Sequence, residues 1–329
     1  MTGNTRRPEV DPVITTSQPL ISTSDLSKSY GAVQALDHAS MSVAPGCTAL
    51  LGENGAGKST LIKLLLGLNP ADTGSAEVLG HDPATEGQAV RARVGYFPEH
   101  DCLPADWQAQ DFVRHMGVVR GLPGRVAVQR ASDVLAQVGL AEERYRQIGG
   151  FSAGMKQRVK LAQALVHDPR LVLLDEPTNG LDPLARDQML DLIQRVVREM
   201  GISVLVSSHL LADVQQVSDA VIILDAGRVV AQGSLQQLLS DTASLTVRLS
   251  DPCPAFVAEL RRRGCDVAGE GTAFTVALSD DSVYDLVRDA AVESGAGLSY
   301  LKRRSLSLED VFLAESGGVP VVAQREGAA

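Results

Sequence analysis

Basic charge, paired cysteines, aromatic residues and long apolar runs are all scarce in this chain, and each shortage excludes something. Arginine and lysine total 30 against 40 aspartates and glutamates, a net charge of −10. Such an acidic balance argues against a polyanion binder with a broad basic face, so any phosphate is expected to be gripped locally, with no nucleic-acid partner. The four cysteines, Cys47, Cys102, Cys253 and Cys265, form no CxxC pair. That excludes a disulfide scaffold or metal-spaced thiols and fits a reducing, cytoplasmic setting. No apolar stretch of signal-peptide size follows Arg6 and Arg7. The longest apolar runs, such as residues 220–224, are strand-sized and far short of the roughly 18 residues of a membrane-spanning helix. The chain is therefore not expected to cross a bilayer by itself. Aromatics make up 4% and include one tryptophan, but apolar residues reach 44% over 329 positions. Those proportions suit a soluble globular protein of about two domains, at roughly 100–200 residues each.

Residues 1–19 are rich in Thr, Ser and Pro without periodicity and read as a flexible lead-in. Strand-like runs follow at 39–43 and 47–51, then a glycine-rich turn into an amphipathic helix at 57–67. A strand is expected at 93–97, a mostly helical stretch at 107–139 and a further helix at 152–167. Alternation then resumes, with strands at 171–174, 203–207, 220–224 and 228–231 and helices at 183–200 and 210–217. Wholly apolar strands alternating with helices imply an α/β fold whose mostly parallel sheet is covered on both faces. Beyond residue 240 the order becomes βαββαβ, a small α+β, ferredoxin-like unit over 241–315. A helical piece is expected at 306–314, and the tail from 316 to 329 reads as flexible.

The sharpest chemical signal is Gly52-Glu53-Asn54-Gly55-Ala56-Gly57-Lys58-Ser59-Thr60, a GxxxxGK[ST] loop between strand and helix. In such a loop, backbone N–H groups turn inward around phosphates and the helix N-terminus adds its positive end. Lys58 would reach the β/γ oxygens and Ser59 would ligate Mg²⁺. The apolar strand 171–174 runs into Asp175 and Glu176. At a strand's carboxyl end, Asp175 is suited to hold Mg²⁺ and Glu176 to polarise the water that attacks the γ-phosphate.

These residues resemble the nucleotide-binding domain of ABC transporters over roughly 20–240, a P-loop ATPase fold with an antiparallel β region and a helical subdomain at about 98–165. The phosphate loop and Leu173-Leu174-Asp175-Glu176-Pro177 match that family's Walker A and Walker B motifs. Phe151-Ser152-Ala153-Gly154-Met155 stands at its LSGGQ signature. By the same resemblance Tyr30 matches the aromatic that stacks on adenine and Glu99 falls at the Q-loop. Asn179-Gly180-Leu181-Asp182 matches the D-loop, with Asp182 toward nucleotide, and His209 matches the residue that contacts the γ-phosphate. Alone, Tyr30 would read as a half-buried strand end and His209 as a helix cap. The five other histidines are expected at the surface. Phe151, Ala153, Met155 and Glu99 depart from the family pattern. The first three spare the features by which the signature works: the Ser152 hydroxyl, the Gly154 backbone and the helix's positive end. Glu99, in place of the usual Gln, puts an extra carboxylate near the metal, counted here with Ser59 and Asp175.

The resemblance implies an ATP- and Mg²⁺-dependent ATPase in which two copies sandwich two ATP molecules. Glu176, His209 and Lys58 carry the chemistry, and Ser152 and Gly154 reach across from the second subunit. It further implies a separate ABC-2-type permease chain and export, with the protein peripheral on the cytoplasmic face of the cell membrane and touching the membrane only through that permease. Trp107, Phe112, Tyr96 and Phe97 are expected to line the permease-docking groove, with core packing as the plainer reading of Trp107. Two alternatives from other classes are a soluble ABC ATPase of nucleic-acid or translation processes and a non-catalytic regulatory ATP binder. A single phosphate loop, no heptad run and the acidic balance disfavour the first; Lys58, Asp175, Glu176 and His209 together disfavour the second.

Overall fold

The computed structural model describes residues 19–240, 244–277 and 282–304. The helix expected at 306–314, the tail, and all but the last residue of the N-terminal lead-in lie outside them, as does the segment where the boundary near 240 was expected.

The chain opens with two long strands, β1 (Ile21–Tyr30) and β2 (Val33–Val43), followed by β3 (Cys47–Leu51), α1 (Lys58–Leu65), β4 (Thr73–Val78), α2 (Pro83–Arg93) and β5 (Val94–Phe97). Three helices come next, α3 (Ala109–Val119), α4 (Gly124–Gln137) and α5 (Ala153–Leu165). The alternating part then runs β6 (Leu171–Asp175), α6 (Pro183–Arg198), β7 (Ser203–Ser208), α7 (Leu211–Val217), β8 (Ala220–Asp225), β9 (Arg228–Ser234) and α8 (Leu235–Ser240). Last come β10 (Ser244–Leu249), α9 (Pro254–Arg262), β11 (Val267–Glu270), β12 (Ala273–Ala277), α10 (Ser282–Ser294) and β13 (Leu298–Arg304).

A six-stranded sheet in the order β5-β6-β7-β3-β8-β9 is the centre. It is parallel except for the β8–β9 pair. Its inner strands are apolar at nearly every position because both faces are covered. Ala49, Leu51, Val172 and Leu174 face one core, shared with buried residues of α3 to α7. Leu50, Leu171 and Leu173 face the other, shared with α1 and the antiparallel sheet β2-β1-β4. Helix starts are marked in the sequence: Ser152 caps α5, and Asp182 caps α6 with Pro183 in its first turn.

The last six elements follow the expected βαββαβ order and pair entirely antiparallel as β11-β12-β10-β13. Leu245, Val247, Phe274 and Val276 point to one face of this sheet and form a separate core with Phe256 and Leu260 of α9 and Val283 and Val287 of α10.

Candidate nucleotide and metal site

The carboxyl ends of β3, β6 and β7 lie side by side, with Leu51 opposite Ser208 and Asp175 opposite Ser207. The phosphate loop, Asp175, Glu176 and His209 therefore converge at the carboxyl end of the central strands. The loop after β3 can turn there only because of its glycines. A Cβ on Gly52 would stand 2.3 Å from the Leu224 carbonyl, and one on Gly57, at φ 106°, would stand 2.4 Å from the Ala35 carbonyl. Lys58 opens α1 and folds back into the loop, donating to Gly52 O at 2.7 Å and Glu53 O at 3.1 Å. A cavity of about 310 Å³ is lined by Glu53, Asn54, Gly55, Gly57, Lys58, Ser59 and Thr60, by Val33 and Ala35 of β2, and by Glu99 and Glu176. Ala56 is buried beneath the loop. Tyr30 lies outside this lining at the end of β1, 46% exposed, its hydroxyl accepting from Asn69 Nδ2 at 2.7 Å. Lys28 Nζ lies 5.7 Å from the centre of the Tyr30 ring.

Asp175 is almost fully buried. Ser59 Oγ donates to its Oδ1 at 3.2 Å and Ser207 Oγ donates to the same atom at 2.8 Å. Burial pushes this carboxyl above the usual range, the two hydroxyl hydrogen bonds pull it back, and the Glu99 and Glu176 charges add to the push. Glu176 adopts φ 49°, a left-handed conformation rare outside glycine and costly for a residue with a Cβ. Its Oε2 meets His209 Nδ1 at 2.8 Å, so His209 is no helix cap. Lys58 Nζ stands 3.1 Å from Glu176 Oε1. That approach is an ion pair outside hydrogen-bond angles, so Oε1 is a buried oxygen without a hydrogen-bond partner. An orphaned carboxylate oxygen at the cavity wall is suited to accept from a water molecule. Ser59 and Asp175 supply hard oxygen donors only, the set that suits Mg²⁺, which takes few protein ligands and completes its shell with phosphate and water.

Two polar residues of this region carry no sequence motif. Ser207 receives the Glu176 N–H at 3.0 Å while donating to Asp175, so one hydroxyl ties both carboxylate residues to β7. Asp213 on α7, 3% exposed, accepts from Thr178 Oγ1 at 2.6 Å and pairs with Arg186. The available hints were Ser207-Ser208-His209 ending an apolar strand and a lone carboxylate on the buried stripe of α7.

Ser152, Gly154 and Asp182 do not line the cavity. Ser152 accepts from Met155 N at 3.3 Å as cap of α5, Asp182 accepts from Ala185 N at 2.9 Å as cap of α6, and a Cβ on Gly154 would meet Ala185 Cβ at 3.2 Å. The docking-groove expectation needs correction at two of its four residues, and the core reading of Trp107 needs correction as well. Phe97 and Phe112 are buried in the core, whereas Trp107 is 43% exposed and meets His115 edge-on at 5.4 Å. Nor is every remaining histidine at the surface: the His167 Nδ1 is buried without a partner, and its Nε2 lies 3.3 Å from Val94 O.

Residues 36–179 match the ABC transporter family model. Over 297 residues the chain is 33% identical to the ATP-binding protein YxlF of Bacillus subtilis, an uncharacterized ABC transporter protein, covering 89% of this chain and 98% of that one. The chain belongs to the ABC transporter ATP-binding protein family. It is also 33% identical to the daunorubicin resistance ATP-binding protein DrrA3 of Streptomyces coeruleorubidus, covering 88% of this chain and 93% of that one. A solved ATP-binding subunit of an ABC transporter superposes with a TM-score of 0.59 at 32% identity, over 67% of this chain and 91% of the other. The protein is thus an ATP-binding, ATP-hydrolysing subunit of the ABC class, whose members dimerise and work with a membrane permease. Among the described residues no helix is long and apolar enough to cross a membrane.

Proposed function

We propose that the chain is the Mg²⁺-dependent ATPase of an exporter, acting as a homodimer beneath a separate ABC-2-type permease and peripheral on the cytoplasmic face of the cell membrane. The observation that carries this reading is the chain Lys58–Glu176–His209 at the cavity wall, beside Ser59 and Asp175. Export is favoured by the similarity to DrrA3, a daunorubicin resistance protein.

In this reading Tyr30 stacks on adenine, the loop N–H groups and Lys58 hold the phosphates, and Ser59 and Asp175, with Glu99 near them, hold Mg²⁺. When bound, that ion would supply positive charge against the phosphates. Glu176 Oε1 accepts a proton of the attacking water, and His209 holds the carboxylate by Oε2 and reaches the γ-phosphate. One chain leaves that phosphate's far side open. The Ser152 hydroxyl and the Gly154 backbone, at the positive end of α5 and away from their own cavity, support closure by a second subunit, with Asp182 on the adjoining α6 cap. Loss of the γ-phosphate contact would let the pair open and pass the motion to the permease.

The test is steady-state ATP hydrolysis by the purified chain with Mg²⁺, with and without nucleic acid, together with co-purification of its permease from detergent. Hydrolysis that Glu176→Gln abolishes, indifferent to nucleic acid, supports the reading. Stimulation by nucleic acid and no permease in the complex would overturn it.

A further inference from the structure

Lys160 is the most deeply buried cation among the described residues, 2% exposed in the middle of α5. A buried ammonium demands compensation, and this one has little. It donates to one acceptor, the Glu99 main-chain carbonyl at 3.0 Å, and its Nζ lies 4.5 Å over the Phe97 ring. The negative groups near enough to act on it include Asp101, Glu99 and Asp175. One turn earlier on the same helix, Lys156 reaches Asp101 Oδ2 at 3.8 Å. Two lysines of the helix capped by Ser152 therefore hold the segment 99–101, and Glu99 of that segment lines the nucleotide cavity. Glutamine is usual at position 99 in the family. This chain has a carboxylate there, and a buried cation hydrogen-bonded to the same residue's main-chain carbonyl.

We propose that Lys160 is a positioning residue for the nucleotide site: it fixes the Glu99 backbone and balances the Glu99 carboxylate, so that phosphates tolerate a negative group at that place. The proposal rests on the ATPase reading above. A cation close to a carboxylate lowers the repulsion an incoming polyphosphate meets, and at separations shorter than the Debye length salt screens that effect little. Without the charge, Glu99 faces the phosphates unbalanced. The two residues should then be coupled, with Lys160 mattering for ligand binding only while position 99 carries a charge.

A double-mutant cycle on the full chain reads this coupling. The probe is a fluorescent ATP analogue, titrated in EDTA and again with Mg²⁺, with a thermal melt on every variant. Lys160→Met should weaken binding in EDTA at least fivefold with Glu99 present and less than twofold in the Glu99→Gln background. Mg²⁺ should recover part of the loss. Lys160→Gln keeps a donor for the Glu99 carbonyl without the charge, should show the same dependence on position 99, and serves if the methionine variant does not fold. Equal losses in both backgrounds, or unchanged affinity in a folded variant, would overturn the proposal. A wild-type chain that binds no ATP would instead sink the ATPase reading.

Discussion

His209 Nδ1 sits 2.8 Å from Glu176 Oε2, joining the ends of the adjacent parallel strands β6 and β7. With its proton on Nδ1 the ring donates to the carboxylate and fixes which oxygen remains for water. Lys58 Nζ stands 3.1 Å from that other oxygen, so each half of the carboxylate faces a different neighbour. A group held at φ 49° among such neighbours is positioned rather than merely packed.

Glu176→Gln keeps size and the His209 contact but removes the proton acceptor. ATP hydrolysis should fall on the order of 10²–10⁴-fold, while ATP still binds. Size-exclusion chromatography with ATP and Mg²⁺ should then show an accumulated dimer. A variant that elutes as a monomer under those conditions counts against the two-subunit sandwich.

Asp175→Asn tests the buried carboxylate. Its raised pKa means the folded state binds a proton that the unfolded state has already released, so stability falls as pH rises from about the ordinary value of 3.8 through the raised one. Above the raised value that cost is present in full, and the amide cannot ionise. Without nucleotide, the variant should melt above the parent at pH 7 and converge with it near pH 3. Its ATP affinity should respond less to Mg²⁺ than the parent's. A lower melting temperature at pH 7 would show that the carboxylate is stabilised by its hydroxyl partners instead.

The parallel sheet was legible because strands such as 171–174 are apolar throughout, and α6 because Asp182 and Pro183 announce it. Less of the antiparallel region could be read. The pairing of β1 slips at Thr23, Leu26 and Lys28, which breaks its alternation, and in β4 only Val78 is buried. The helix α2 has almost no apolar face and bends at Glu86, so no period betrays it. At the site, the motif residues of the phosphate loop and Walker B segment were visible because backbone chemistry dictates them. Ser207, Asp213 and Lys160 were not, because their roles come from which strand and helix ends meet in space, and no spacing in one sequence encodes that.

His167 predicts an acid limb to stability. Burial, with the Arg120 charge adding to it, lowers this imidazole from 6.5 to about 4. As pH falls from 6.5 toward 4, the unfolded chain gains a proton that the folded chain refuses. Stability is therefore whole above 6.5 and lost across that window, by on the order of 2–3 kcal/mol. His167→Gln keeps a donor for Val94 O and cannot protonate. Urea unfolding at pH 7 and pH 4.5 should differ less in the variant than in the parent; an unchanged difference rules out His167 as the source.

Asp213→Ala removes the shared acceptor of two elements that flank the site. Thr178 lies two residues after Glu176, and Asp213 four after His209, so their 2.6 Å hydrogen bond ties the segment after β6 to the segment after β7. Arg186, 29% exposed, would keep its charge without a partner. Deleting one partner of a buried ion pair costs about 3–5 kcal/mol, and partial access of water to the arginine moves the expected loss to about 2–4 kcal/mol. Asp213→Asn preserves the acceptor for Thr178 and should lose less. If the cluster also sets the distance between Glu176 and His209, kcat should fall in both variants while ATP affinity changes little, and Thr178→Ala should add almost nothing on top of Asp213→Ala. Urea denaturation and initial-rate kinetics on the same preparations separate the two effects. A stability loss with unchanged kcat would confine Asp213 to holding α6 and α7 together.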